Sequence, residues 1–421
     1  MFQKIILPNK LRLITAPMKG TNTVTILVMC ATGSDHETPA EGGISHFLEH
    51  LFFKGTERRR TPQVIKHELD SMGSISNAFT SHEYTGYFIK AGYLHFDRAL
   101  DLLADIYTNS LLDPKEINRE RQVIVEEMHK YLDTPERYIW DIYERLLYGD
   151  QPAGRDVIGT EANIRGFTPA HFRKYFNSQY TSQNTVVIVA GNFDTSRTVG
   201  KIKRLFGSVR SSKPRAKGLF KEKQARPALK LHFKETDQSH LVAGFRGFDA
   251  HHQHRYAAEM LGVVLGGSWS ARMWDVVRDR LGLAYAVHTS HENYSNRGML
   301  VTYAGVAHAN VEKALRAIMG EYRKVTEAPV SRKELERAKE HVKGTSLIAL
   351  ESSNAVANFV GIEEVVTGKP LTIDEVFAKI EGVTPADIQA VARKLFRPEF
   401  LNLAIIGPFK EETGFSKLLK L

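Results

Sequence analysis

Three side chains within five positions, His46, Glu49 and His50, have the types and spacing for metal-assisted hydrolysis. They lie in Gly42-Gly43-Ile44-Ser45-His46-Phe47-Leu48-Glu49-His50-Leu51-Phe52-Phe53-Lys54-Gly55, which reads as a helix. Glycines precede it, Ser45 stands near its start and Gly55 closes it. A spacing of four puts both imidazoles on one face, a turn apart, where they can hold one ion. Glu49 shares that face, while Leu48, Leu51 and Phe52 lie toward the other side and pack on a core. Two neutral nitrogens plus a carboxylate that moves protons make the donor set of a metallohydrolase. A catalytic zinc site also needs a third ligand and one open position. Alone, the pattern is moderate evidence for such a site, against the alternative of a pair of surface or core histidines.

The helical stretch Pro114–Tyr131 offers candidates: Glu116, Glu120, Glu126 and Glu127, with Val123, Ile124 and Val125 among them. Glu120 and Glu127 are two turns apart and share a face. Spacing alone does not choose Glu127 over Glu126. Other reactive types read more plainly. His251, His252 and His254 form a polar loop near a helix start. Cys30, the single cysteine, sits in an apolar run and reads as a buried strand residue.

These residues need two positioning halves. Ile164-Arg-Gly-Phe-Thr-Pro-Ala170 recurs as Ile380-Glu-Gly-Val-Thr-Pro-Ala386. Each copy opens an amphipathic helix (Ala170–Phe176; Ala386–Phe396) with Thr as N-cap and Pro in the first turn. Each helix leads to an apolar strand (Asn184–Phe193; Asn402–Phe409). Lys115-Glu116 and Lys333-Glu334 open long helices at nearly the same offset. The chain therefore reads as a duplication: 1–206, a Ser/Lys/Pro/Gly-rich linker 207–227, and 228–421. Strand-like runs (Thr23–Ala31, Thr185–Ala190) alternate with helical ones (Pro62–Met72, His95–Asn109, Val311–Val325).

With 421 residues, 42% hydrophobic and 25% charged, the chain has an ordinary globular composition and room for two or three domains. No run approaches the ~20 apolar residues of a membrane span, so no membrane partner is expected. The N-terminus lacks the pattern of a secretory signal, and cysteine is scarce; both point to a reducing cytoplasm. Lys+Arg (57) exceed Asp+Glu (48), a net charge of +9. The densest clusters are Arg58-Arg59-Arg60 and the run from Lys213 to Lys223. No aromatic interleaving accompanies them, so they read as solvated basic surface and no nucleic-acid partner is expected.

His46-x-x-Glu49-His50 is the inverted zinc motif, and the sequence resembles the pitrilysin/insulinase family of zinc peptidases, in particular the short branch around the mitochondrial processing peptidase beta subunit. In that family the third ligand follows after 76 intervening residues, which falls on Glu127. An accessory carboxylate seven residues earlier falls on Glu120. The resemblance implies one zinc per chain held by His46, His50 and Glu127, with Glu49 as general base. Gly73-Ser-Ile-Ser-Asn77-Ala78-Phe79-Thr80-Ser81 is similar to the family's edge strand, implying that Asn77, Ala78, Phe79 and Thr80 pair with substrate backbone. In the second half, Arg278 and Tyr285 match a pair that binds substrate carbonyls and supports the oxyanion. Ala271 stands where Ser is common, and Trp269 is bulky for its glycine-rich turn.

The implied fold is α+β: two homologous domains, each a mainly antiparallel sheet flanked by helices. The implied function is a zinc endopeptidase acting on unfolded peptides in a closing chamber. Family members enclose that chamber with four such domains, so this chain is expected to form a homodimer. The competing expectation is a noncatalytic partner subunit, against which all four residues of the motif stand.

Overall fold

The computed structural model describes residues 2–411 and 413–420. Met1, Glu412 and Leu421, which fall within the expected domain bounds, lie outside the described residues. Runs rich in β-branched residues form the strands. Thr23–Cys30, for example, is buried along seven of its eight residues, as a strand covered on both faces must be.

The first sheet holds β1 (Gln3–Ile6), β2 (Arg12–Pro17), β3 (Thr23–Cys30), β4 (Ile75–Thr80), β5 (Thr85–Gly92) and β6 (Thr185–Gly191), in the order β1-β2-β6-β3-β5-β4. The second holds β7 (Ala228–Phe233), β8 (Ser239–Gly247), β9 (Ala284–Asn293), β10 (Gly298–Val306) and β11 (Asn402–Gly407), in the order β7-β11-β8-β10-β9. In each sheet one pair is parallel, β2 with β6 and β7 with β11, and the other pairings are antiparallel. The second order matches the first without β1. The repeated Thr-Pro-Ala motifs therefore do equivalent jobs: Thr168 and Thr384 stand before the helices Pro169–Gln179 and Pro385–Leu395, which lead to the matching strands β6 and β11.

The compact units are not the continuous stretches expected on either side of a linker. The first comprises Met1–His129, Arg155–Gly218 and Leu347–Thr372; the second comprises Lys130–Gly154, Leu219–Ser346 and Ile373–Leu421. Each half of the sequence lends a helix to the other half's sheet. Ser353–Thr367 lies on β3 and β6, and Pro135–Tyr148 lies on β8 and β11. The reason is burial on the second face of each sheet. Ile14, Leu27, Met29 and Ile188 need cover and meet Ala357 and Val360; Val242, Met299, Val301 and Ala404 meet Ile139, Ile142 and Tyr143. Polar groups set the register of the first of these helices: Ser353 Oγ bonds the hydroxyls of Thr23 and Thr25, and Glu364 pairs with Lys4 and Arg12.

The linker reading also changes in detail. Residues 210–226 form no regular element, but the basic run is not simply solvated. Arg215 pairs with Glu41 and Lys217 with Glu83, strapping the first part of the linker to the first unit. Lys221 exchanges backbone bonds with the Gln151 amide in the second unit. Arg59, in the other basic cluster, is paired with Glu68, Asp101 and Asp105.

Candidate metal centre

The helix Ile44–Phe52 carries the motif. Its apolar face is driven inward: Phe47, Leu48, Leu51 and Phe52 are buried, with Phe47 edge-on to Phe172 and Phe52 stacked on Tyr87. The residue before the helix, Gly43, has φ of +93°, and a Cβ there would meet the Ile158 carbonyl oxygen at 2.6 Å. Glycine has no side chain to cap the helix, yet the first N–H groups need acceptors. Glu37 supplies them: its carboxylate accepts from Gly43 N and Ser45 N, both at 2.8 Å. Ser45 Oγ is bonded to the Tyr175 hydroxyl, which also reaches Thr32. Burial pushes the Glu37 carboxyl up to about 7 against these hydrogen bonds. This anchor, one residue before His46, is absent from the sequence reading. The only local hint is an acidic residue ahead of a Gly-Gly helix start.

His46, His50 and Glu127 converge, with one ligand atom of each within 4.8 Å of the others, all three half-buried. Glu127 Oε2 lies 3.4 Å from His50 Nε2 and 3.7 Å from His46 Nε2. Donors bound ~2.0–2.1 Å from a tetrahedral zinc stand roughly 3.3 Å apart, and the two separations from Glu127 Oε2 are close to that. Glu126 instead faces solvent and accepts from Gln122, which resolves the choice that spacing left open.

The electrostatics agree. Burial and the neighbouring His50 hold His46 down to about 4, a neutral ligand at ordinary pH. Burial opposes charge on His50 too, but hydrogen bonds to Glu120 and Glu127 outweigh it and raise His50 to about 9. A proton on His50 is thus favoured, and a metal ion that took Nε2 as a ligand would displace it. Glu120 Oε2 lies 3.3 Å from His50 Nδ1, on the opposite side of the ring from Nε2, and its other oxygen pairs with Lys54 at 2.6 Å. Burial works against its charge, but His50 and Lys54 hold Glu120 below the usual carboxylate range. Accepting from Nδ1–H fixes the ring so that Nε2 is directed toward Glu127. Glu120 is therefore a support of the histidine rather than a group facing the reacting atoms. His46 Nδ1 is buried and lacks a partner among the described residues.

Burial raises the Glu49 carboxyl, and the Thr80 hydroxyl, donating to Glu49 Oε2 at 2.6 Å, partly offsets this. Thr80 thus fixes the Glu49 carboxylate, a contact the sequence did not suggest. Thr80 ends β4, which among the described residues pairs with β5 alone and stands at the edge of the sheet. Along that edge Asn77 turns its side-chain oxygen onto Ala78 N, and Phe79 packs over Gly86. A cavity of about 390 Å³ opens between Glu49, His50, Phe53, Lys54 and Asn77.

In the second unit Arg278 and Tyr285 are brought together. Arg278 Nη1 donates to the Tyr285 carbonyl at 2.8 Å. Tyr285 is the extra residue of a bulge, because Gly305 pairs with Ala286 and Val306 with Ala284. The bulge turns its side chain outward, 80% exposed, between inward-facing neighbours. His252 of the histidine loop stacks on Phe248. Among the described residues, His46, His50 and Glu127 make the one group placed to hold a metal.

Comparison with known proteins gives this geometry a context. The pattern of Insulinase (Peptidase family M16) matches residues 12–161, and that of the Peptidase M16 inactive domain matches residues 166–342. An uncharacterized zinc protease of Bacillus subtilis is 35% identical over 97% of this chain and 98% of its own. The chain belongs to the insulinase family, peptidase family M16. An uncharacterized zinc protease of Rickettsia felis is 33% identical over 96% of both chains. A protease from Helicobacter pylori shares the fold, with a TM-score of 0.90 over 97% of this chain and 99% of that one at 23% identity. So does a peptidase M16 inactive domain from Pseudomonas fluorescens, with a TM-score of 0.88 over 97% and 98% at 17% identity. The expected pitrilysin/insulinase family and the α+β two-domain fold both hold. No helix among the described residues is long and apolar enough to cross a membrane.

Proposed function

We propose that this protein is a zinc-dependent endopeptidase that hydrolyses unfolded peptides. The convergence of His46, His50 and Glu127 ligand atoms within 4.8 Å carries the reading, because a noncatalytic family member has no need to keep that set with Glu49 beside it. Zinc, when bound, supplies the Lewis acidity that makes water a nucleophile near neutral pH and polarises a carbonyl. Glu49, oriented by Thr80, takes the proton from the attacking water and passes it to the leaving amine. Glu120 and Lys54 keep His50 oriented and its Nε2 free. An extended substrate adds to the open edge of β4 along Asn77–Thr80 by main-chain hydrogen bonds, which tolerate many sequences. Arg278 binds substrate carbonyls and the Tyr285 hydroxyl supports the oxyanion. One zinc per chain, a homodimer enclosing the substrate, and a cytoplasmic location complete the reading.

The decisive experiment incubates purified protein with a mixed peptide library, with and without a chelator, and reads fragments by mass spectrometry alongside metal analysis. Stoichiometric zinc and chelator-sensitive cleavage are expected. Protein carrying no zinc and cutting nothing would leave the partner-subunit reading.

A further inference from the structure

Two of the three tryptophans in the chain, Trp269 and Trp274, sit beside Arg278 and Tyr285. Trp269 stacks on Trp274, with centroids 6.3 Å apart and planes 26° from parallel. The Arg278 guanidinium lies over the Trp274 ring at 4.2 Å and over the Tyr285 ring at 5.2 Å. Ring, ring, cation, ring therefore form one continuous ladder. Two irregularities shape it: π-type turns over Trp274–Arg280 and the bulge that extrudes Tyr285. Such departures from regular backbone recur at functional sites.

The ladder is open where a ligand would need it. Trp269 is 80% exposed, as is Tyr285. Within the ladder Trp269 uses one face, on Trp274. The Arg278 guanidinium lies beside two rings and one N–H is spent on the Tyr285 carbonyl; among the described residues no carboxylate pairs with it. A guanidinium steadied by two rings and a backbone carbonyl has further N–H groups to offer, suited to a carbonyl or carboxylate oxygen. A ligand that satisfies both features carries a planar apolar group and, a short distance along, an oxygen acceptor. A peptide with an aromatic side chain does so, since two or three extended residues at ~3.4 Å each cover the rungs between Trp269 and Arg278.

We propose that the Trp269–Trp274–Arg278–Tyr285 ladder is a substrate-selecting shelf that favours peptides bearing an aromatic side chain, whose ring stacks on Trp269 while a neighbouring carbonyl meets Arg278. This rests on peptides being the substrate of the enzyme, and it adds Trp269 and Trp274 as specificity-determining residues.

The test uses the full chain as the zinc-loaded Glu49→Gln variant, so that binding is read without turnover. Two Trp-free decapeptides, identical except for one Phe or Ala, are titrated by calorimetry and by tryptophan fluorescence. The Phe peptide is expected to bind about five- to tenfold more tightly, the range of one aromatic contact. Trp269→Ala should erase that preference at an unchanged melting temperature, because its side chain is mostly in solvent. Trp140→Phe should keep the fluorescence response. Equal binding of the two peptides, no binding of either, or a preference that survives Trp269→Ala would overturn the shelf. So would a Trp269→Ala effect confined to oligomeric state by light scattering, which would make a second copy the occupant. Preference without any cleavage by the wild type would remove the peptidase reading and leave the shelf standing. Cleavage without preference would do the reverse.

Discussion

At the residue scale, half-buried Glu49 and buried Glu120 are both carboxylates near His50, yet they answer to different partners. Among the described residues Glu49 is bonded by Thr80 alone, whereas Glu120 is locked between His50 and Lys54. Their loss should separate cleanly. Glu49→Gln is expected to keep stoichiometric zinc and lose at least about 100-fold in hydrolysis rate. Glu120→Gln is expected to weaken zinc binding about 10- to 100-fold in a chelator competition. Retained turnover in the first, or unchanged zinc affinity in the second, would reassign the roles. His291 gives a residue-scale prediction away from the metal. Its Nε2 accepts from Phe248 N at 3.1 Å, so that nitrogen must stay unprotonated, and burial holds the group down to about 3. The unfolded chain takes up this proton near pH 6.5. The contribution is therefore intact above that pH and is lost as pH falls toward 3, by about 2 kcal/mol at pH 5. Denaturant midpoints at pH 7.5 and 5.0 should converge more for His291→Gln than for wild type. Equal pH slopes in the two proteins would refute this.

At the scale of elements, the helix Ser353–Thr367 lies close on its sheet because Gly361 allows it. A Cβ there would come 2.6 Å from Met29 Sδ and 3.2 Å from Ile188 Cδ1. Gly361→Val is expected to destabilise by about 1–3 kcal/mol through overpacking. At Gly344, on the helix Arg332–Ala349, nothing lies within 4 Å of a new Cβ. Gly344→Ala should stabilise by up to about 1 kcal/mol, since only helix propensity changes. Thermal melts of the two variants check the contrast, and a shift of the same sign in both would show that the sheet contact does not matter. The zinc helix makes the complementary point. Its N-terminus is held by Glu37 from outside the helix, so the direction of His46 depends on a loop that folds back on it.

At the scale of the whole molecule, the exchanged helices make each unit a product of both ends of the chain. Residues 1–218 alone lack Ser353–Thr367, and with it the cover for Leu27, Met29 and Ile188. That fragment is expected to show no cooperative unfolding and to aggregate through its bare sheet face. Co-expression with residues 219–421 should restore a soluble, cooperatively melting complex. A well-folded lone fragment by circular dichroism and thermal melt would show the exchanged helix to be dispensable.

Much of the site is written in short spacings. Positions 46, 49 and 50 share a helical face because of the pitch alone, and Leu48, Leu51 and Phe52 had to turn inward for the same reason. The Thr-Pro-Ala repeat announces two helices and the strands that follow them. What lies beyond any local pattern is which distant groups meet. The choice of Glu127 over Glu126, the Thr80 bond to Glu49, the Glu37 anchor and the bulge that extrudes Tyr285 all depend on long-range register. So does the reciprocal loan of helices, since a sequence shows that a sheet face is apolar but not which helix will cover it. Periodicity encodes which way a side chain points on its own element; only packing decides what stands opposite.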